Sequence, residues 1–277
     1  MSASVLILTL NEEINLPACL KSVSWSDDIV VFDSYSTDRT VEIAKAAGAR
    51  VVQRTFDNWS THQNWAVENI DFKNEWVWYV DADEVILPDL AKEILEVTSD
   101  PYRPEVAYKV RRKNIFLGKW LKHGGMYNVW IARLWKPQKI RWQRYVHPIA
   151  IIDGPVGYLR NCFIHNFINK GFAAWFDRHN KYSTFEALET IKELKESKID
   201  WKGLFSHQSL RRRSVLKCLS FRLPGRPFLK FIYMYLLKGG ILDGRAGLSY
   251  SAMMSIYEYM ICLKVRELRR REKGLPV

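Results

Sequence analysis

The stretch Trp76-Val77-Trp78-Tyr79-Val80-Asp81-Ala82-Asp83-Glu84 decides how this chain is read. Five apolar residues run straight into three carboxylates separated by one alanine. An unbroken apolar run of that length is the pattern of a strand buried on both faces, and its carboxyl end is where open α/β sheets bind ligands. Two acids placed there can hold a divalent cation, because Mg²⁺ takes one or two carboxylates together with phosphate oxygens of a substrate. A charged turn behind a core strand would carry the same residues, so the flanking sequence has to decide.

Upstream, Val5 to Leu8 is a short apolar run, and Ile14, Leu16, Leu20 and Val23 recur at helical spacing within residues 11–23. Ile29-Val30-Val31-Phe32 predicts a second strand that ends at Asp33. Ser36, Thr37 and Asp38 can cap a helix over residues 39–47, Gly48 ends it, and Arg50-Val51-Val52 predicts a third strand. A further helix is expected over residues 58–69. The first 85 residues therefore predict a parallel α/β half with Asp33 and Asp81 on its ligand edge. From Pro101 to about Asn166 the pattern changes to short aromatic and β-branched pieces, among them Ala107 to Val110, Trp130 to Trp135 and Ile149 to Ile152, which predict mixed or antiparallel strands. Residues 171–197 are expected to be helical.

The composition, 48% hydrophobic and 13% aromatic over 277 residues, excludes a mainly disordered chain. The net charge of +12 is unevenly placed. Residues 1–200 hold 26 Lys and Arg against 26 Asp and Glu, whereas residues 201–277 hold 16 against 4. This predicts two domains, 1–200 and 201–277, the second a basic helical region that meets a polyanion. Within it, residues 221–238 interleave Arg222, Arg226, Lys230 and Lys238 with large apolar side chains, as a helix lying on an anionic bilayer does. A helical hairpin packed on the globular domain with a solvated basic face is the alternative. No stretch offers the roughly 20 clean apolar residues of a membrane span. A nucleic-acid partner is not expected, since no zinc-finger, RRM or KH signature accompanies the charge. Cys19, Cys162, Cys218 and Cys262 form no CxxC pair and are expected to be reduced thiols. The first residues lack the basic start and the length of a signal peptide, so the globular part is expected to remain in the cytoplasm.

Thr9, Asn11, Glu12 and Asp33 at the ends of the first two strands suit a base and ribose, and Asp81 with Asp83 suits a metal and a diphosphate. Thr9-Leu10-Asn11-Glu12-Glu13, Asp33-Ser34-Tyr35-Ser36-Thr37-Asp38-Arg39-Thr40 and Asp81-Ala82-Asp83-Glu84 together resemble family 2 glycosyltransferases of the GT-A fold. Within that family, residues 118–125, Arg133-Leu134, Val146-His147 and residues 242–247 resemble the bacterial lipopolysaccharide-core and exopolysaccharide transferases. The resemblance covers nearly the whole chain. It implies a Rossmann-like nucleotide half, a mixed-sheet acceptor half, and inverting transfer from a nucleotide sugar, UDP-linked by expectation, to a lipid-linked saccharide or lipopolysaccharide at the cytoplasmic face of the inner membrane. It further implies a divalent metal, Mg²⁺ or Mn²⁺, with Asp33 on the nucleobase, Asp81 on the ribose or metal, and Asp83 on the metal.

The general base is not fixed by the resemblance. Pro148 follows His147 where many relatives have a carboxylate, and Met126-Tyr127-Asn128-Val129 lacks the acid that follows the Gly-Gly segment in relatives. By position the candidates are His147, Asp153 and Glu84. His147 could equally be a metal or diphosphate ligand, or a structural histidine. His165 could ligate the metal, donate to the leaving diphosphate, or be a core histidine. Arg133 could contact phosphate through its planar fork or form a buried ion pair with Asp83 or Glu84. Gln63-Asn64 stands where relatives often carry Arg-Asn, which leaves Asn64 as a nucleotide candidate. With the usual carboxylate missing, a catalytically silent nucleotide-sugar-binding protein of a polysaccharide complex is the alternative function.

Overall fold

A computed structural model describes residues 2–127, 129–144, 148–196, 215 and 225–277. It divides into two compact units, residues 1–171 and 172–277.

In the first unit, β1 (Ser4–Thr9), β2 (Ile29–Asp33), β3 (Arg50–Gln53) and β4 (Val77–Asp81) lie parallel in the order β3-β2-β1-β4. α1 (Leu16–Ser22), α2 (Thr40–Ala46) and α3 (Trp59–Asn69) make the connections. Asn58 caps α3 by accepting from Thr61 N at 3.0 Å. The run expected to be buried on both faces is so: Val77, Trp78 and Val80 are fully buried, with Trp78 and Val80 in one layer of core and Val77 and Tyr79 in the other.

Beyond β4 the sheet turns mixed. β5 (Glu84–Val85), α4 (Pro88–Ser99), β6 (Ala107–Phe116), β7 (Lys119–Leu121), β8 (Trp130–Trp135), β9 (Ile140–Gln143), β10 (Ile149–Ile152) and β11 (Val156–His165) follow in chain order. The sheet continues β4-β8-β6-β11-β5 with β7 on β6, while β9 and β10 form a separate ribbon. β8 is antiparallel to β4 and β6, and β11 is parallel to β6.

Two irregularities shape the site. Tyr108 pairs with Leu134 and Lys109 with Ala132, so Arg133 is an extra residue bulged out of β8. In β11 the register jumps between Tyr158 and Cys162. Glu93 of α4 holds that second irregularity, accepting from Arg160 N (2.8 Å), Asn161 N (2.9 Å) and Asn161 Nδ2 (2.9 Å). Burial works against the Glu93 charge, but these donors outweigh it and leave the pKa lowered. Its stabilisation is therefore present above the ordinary carboxylate range and is lost as pH falls through the lowered value. Glu93→Ala is expected to cost about 2 kcal/mol in urea unfolding at pH 7, because two backbone N–H groups lose their acceptor. That cost should shrink toward acid pH, and an unchanged cost there would count against this role.

The second unit contains α5 (Gly171–Glu196), α6 (Arg226–Ile232), a π-helical turn (Tyr233–Leu237), a 3₁₀ turn (Gly240–Asp243) and α7 (Gly244–Glu272). α5 joins this unit through Lys264 Nζ to Asn180 Oδ1 (2.7 Å), Lys195 to Glu272 (2.6 Å) and the edge-on rings of His179 and Tyr257. The contact division thus falls before α5, and the boundary expected at residues 200–201 lies outside the described residues. α6 is tied to α7 by the Arg226–Glu258 pair at 2.6 Å. A Cβ on Gly247 would stand 1.9 Å from the Gly240 carbonyl oxygen, so glycine is needed for that close approach. Among the described residues no helix is long and apolar enough to cross a membrane.

Candidate active site

Chain turns bring the acids of the opening stretch to the end of a distant strand. After β4, β5 pairs antiparallel with the last residues of β11, placing Glu84 opposite His165, and Asn166 N donates to Asp83 O at 2.9 Å. Asp83 and His165 therefore face each other, with Oδ2 and Nε2 3.6 Å apart and both side chains mostly buried.

The hydrogen-bond network assigns the tautomer of His165. Asn114 Nδ2 donates to the Met126 carbonyl (3.0 Å), so Asn114 Oδ1 faces His165 Nδ1 at 2.8 Å and accepts its proton. Burial lowers the imidazole pKa against the pull of Asp83, which favours the neutral ring. Nε2 and the Asp83 carboxylate converge from opposite sides on one point, where a cation could be held by both. This donor set, with the far ring nitrogen held by an amide oxygen, is the usual setting of a metal-binding histidine. Among the described residues no cluster of three or more His, Cys, Asp and Glu side chains is arranged to hold a metal ion. Asp83 and His165 are two donors, a number that suits a cation completing its shell from phosphate oxygens.

Asp81 and Glu84 look the other way. Arg133 Nη2 donates to Asp81 Oδ2 (2.8 Å) and Glu84 Oε1 (2.6 Å), and its guanidinium lies 4.4 Å from the Tyr79 ring centroid. Tyr79 Oη donates to Asp81 Oδ1 (2.8 Å), and Glu84 Oε2 accepts from Asp81 N (3.0 Å). Burial pushes the Glu84 carboxyl up to about 8; Arg133 opposes the rise, and Asp81 and Asp83 add to it. Burial alone would lower the Arg133 pKa, but Glu84 and Asp81 outweigh it and hold the guanidinium charged.

The ends of β1 and β2 are laced together. Asp33 is fully buried and accepts from Thr9 Oγ1 (2.9 Å), Ser36 N (2.9 Å), Ser36 Oγ and Gln53 Nε2 (2.9 Å). Asn11, in left-handed backbone, donates its N–H to Ser36 Oγ (2.8 Å) and accepts from Thr37 N (2.7 Å). Glu12 N donates to Thr40 Oγ1 (2.7 Å), and the Glu12 carboxylate takes Lys170 Nζ at 2.5 Å. Burial raises the Glu12 pKa while Lys170 opposes the rise.

The sequence model of glycosyl transferase family 2 matches residues 4–164, the segment that carries the ends of β1, β2 and β4 and stops one residue before His165. The chain belongs to this family. It is 22% identical over 283 residues to an uncharacterized glycosyltransferase of Rickettsia typhi, covering 98% of this chain and 89% of that protein. It is 23% identical over 283 residues to the lipopolysaccharide core biosynthesis glycosyltransferase LpsC of Rhizobium meliloti, covering 99% of this chain and 94% of that protein. The fold is shared with the mannosyltransferase PcManGT of Pyrobaculum calidifontis, solved with GDP-Man and Mn²⁺, at a TM-score of 0.53 and 14% identity over 95% of this chain and 86% of that chain. The expected GT-A fold is the one this glycosyltransferase adopts.

Several expected site residues of the glycosyltransferase are placed elsewhere or otherwise engaged. Asp153 pairs with Lys139 at 3.0 Å and its side chain is 85% exposed. It precedes β11, whose ten residues put about 30 Å between it and His165 at the far end, so it cannot serve there as the base. Glu84 is 1% exposed and committed to Arg133, which removes it as a base for an acceptor hydroxyl. Arg133 is correspondingly an internal strut and not a diphosphate contact. The Asn64 amide is used on both sides by Trp142, donating to its carbonyl (2.9 Å) and accepting from its N–H (2.8 Å), so it fastens α3 to β9 and leaves the nucleotide role without support. His147 lies outside the described residues. Asn114, Tyr79 and Lys170 were missed by the sequence reading, and only Lys170, a cation soon after a strand-end histidine, left a local signal.

Proposed function

We infer that this family 2 enzyme transfers a sugar from a nucleotide-sugar donor with the help of a divalent cation held by Asp83 and His165. The observation that carries this is His165 Nε2 standing 3.6 Å from the Asp83 carboxylate, with Nδ1 of the same ring held by Asn114. A Mg²⁺ or Mn²⁺ bound there would neutralise the donor diphosphate and so ease its departure. The protein's own part is to orient. Asn114 sets the tautomer of His165, while Arg133 balances Asp81 and Glu84, so that Asp83 is left as the carboxylate turned toward the histidine. Thr9, Asn11, Glu12 and Asp33 line the edge where the nucleoside would lie, and Tyr35, 55% exposed in left-handed backbone, offers a ring for stacking on a base. The Mn²⁺ and GDP-Man in the archaeal mannosyltransferase and the core-biosynthesis name of the Rhizobium relative support this reading and an acceptor in lipopolysaccharide synthesis. Incubation with a panel of UDP- and GDP-sugars should release nucleotide diphosphate from at least one of them, only with Mn²⁺ or Mg²⁺. Tight donor binding with no turnover in any metal would instead make the protein a silent nucleotide-sugar binder.

The same reading places the protein on the cytoplasmic face of the inner membrane, close to a lipid-linked saccharide. In its support, Phe228, Leu229, Tyr233, Leu236, Leu237, Ile241 and Leu242 are exposed along α6 and the turns after it, next to Lys230 and Lys238. The basic residues 201–214 and Arg222 lie outside the described residues. The full chain should co-sediment with phosphatidylglycerol vesicles, and Leu237→Glu with Leu242→Glu should release it about tenfold, since each removes a side chain expected to enter the interface. Retention of the double variant on vesicles would exclude this strip as the anchor.

A further inference from the structure

The two halves of the first unit differ sharply in charge. No Asp or Glu occurs between Glu105 and Asp153, a stretch that carries eleven Lys and Arg and supplies β6, β7 and β8; β11, which pairs with β6, holds no carboxylate either. The acids that balance them lie between Glu12 and Glu105.

On one face of β6 the cations are set among aromatic rings. Lys109, Arg111, Lys113 and Ile115 alternate along the strand and so share a face. Their cross-strand partners are Tyr158 for Lys109, Trp130 for Arg111 and Trp120 for Ile115. The Arg111 guanidinium carbon is 4.9 Å from the Trp130 ring centroid and 5.0 Å from that of Tyr127. Lys113 and Lys122 place their ammonium groups 5.0 and 4.8 Å from the Trp120 ring. Trp130 and Tyr158 meet edge to face, and Tyr158 is 58% exposed. Arg111 also has a buried Nε without a hydrogen-bond acceptor.

Cations spaced this closely repel one another, and a surface of this kind gains stability when an anion joins it. The rings add flat faces suited to the C–H face of a sugar. The surface approaches the proposed donor site along β8, not through Lys113: Trp130 opens β8 three residues before Arg133, which bonds Asp81 and Glu84, whereas Asn114 turns to the opposite face of β6 and bonds His165.

We propose that this face, centred on Arg111, Lys113, Trp120 and Trp130, binds the acceptor, and that the acceptor is an anionic saccharide bearing phosphate or carboxylate close to the hydroxyl that is glycosylated. The inference rests on the glycosyltransferase reading and names its acceptor class. Arg111 and Lys113 would pair with the anion while Trp120 and Trp130 stack on the sugar.

The test is calorimetric titration of the full chain with mannopentaose 6-phosphate, neutral mannopentaose, inorganic phosphate and phosphatidylglycerol vesicles. The phosphorylated sugar should bind at least about tenfold more tightly than the neutral one, and Arg111→Gln should remove about tenfold of that affinity, the worth of one charge-assisted contact. Lys113→Gln, the second variant, answers the same question should Arg111→Gln fail to fold. Equal binding of the two sugars would overturn the proposal, as would binding that neither variant weakens. Inorganic phosphate matching the phosphosugar would show that the rings take no part, and vesicle binding lost in these variants without a phosphosugar preference would make the surface a lipid-headgroup site; either result overturns it. Titrating the wild type with UDP and GDP in Mn²⁺ reports separately on the donor reading. Failure there with phosphosugar binding intact would count against the glycosyltransferase reading and leave the anion site standing.

Discussion

Replacing Arg133 by methionine is expected to lower the unfolding free energy by about 3 kcal/mol, the scale for removing one partner of a buried ion pair. Arg133 is 5% exposed, bulged out of β8, and reaches both Asp81 and Glu84. Methionine can replace its contact with the Tyr79 ring but not its charge. The loss would be larger if Glu84 were bound to remain ionised, and burial already favours its protonated form. Glu84→Gln in the same background should therefore recover part of the loss, because it removes the acid that is left unpaired. Urea unfolding of the two single variants and the double variant measures the coupling. A loss under about 1 kcal/mol for Arg133→Met would place it among surface ion pairs and contradict the strut role.

The local patterns in the sequence were enough for the elements of the nucleotide half. The strand before Asp81 showed itself by its unbroken apolar run, the helix expected over residues 58–69 is α3, and Trp130–Trp135 and Ile149–Ile152 showed themselves by β-branched and aromatic runs. α4 went unread, although Pro88 at its start and Leu90, Ile94 and Val97 on one face carry the helical spacing. What could not be read locally was register. His165 meets Asp83 because β11 pairs with β5, and Arg133 reaches Glu84 because one residue of β8 is extra, and neither fact is contained in a window of neighbouring residues. Asp153 and Asn64 were plausible by position along the chain, but three-dimensional placement gave one to Lys139 and the other to the Trp142 backbone. The charge division was legible at a finer scale than the comparison of residues 1–200 with the remainder. A balanced total concealed an acid-free segment inside it.

Asp83→Ala should leave the fold intact and remove metal-assisted donor binding. The Asp83 carboxylate raises the pKa of both Glu84 and Glu12, so deleting it relieves crowding among the buried acids. Thermal stability should stay within about 1 kcal/mol of the parent. Losing one of two protein ligands should weaken Mn²⁺-dependent nucleotide binding by at least about a hundredfold, the upper range for disturbing a metal ligand's support. Asn114→Leu, which frees the tautomer of His165 without touching the carboxylate, belongs at the lower end of that range.

The most direct measurement is calorimetric titration of the full chain with UDP and with GDP, each in the presence and absence of Mn²⁺, for the parent and Asp83→Ala. If Asp83 and His165 hold the cation that meets the diphosphate, Mn²⁺ will strengthen binding of one nucleotide to the parent by at least about tenfold and will do nothing for the variant. Equal strengthening in both proteins, or none in the parent, would contradict the site described for Asp83 and His165.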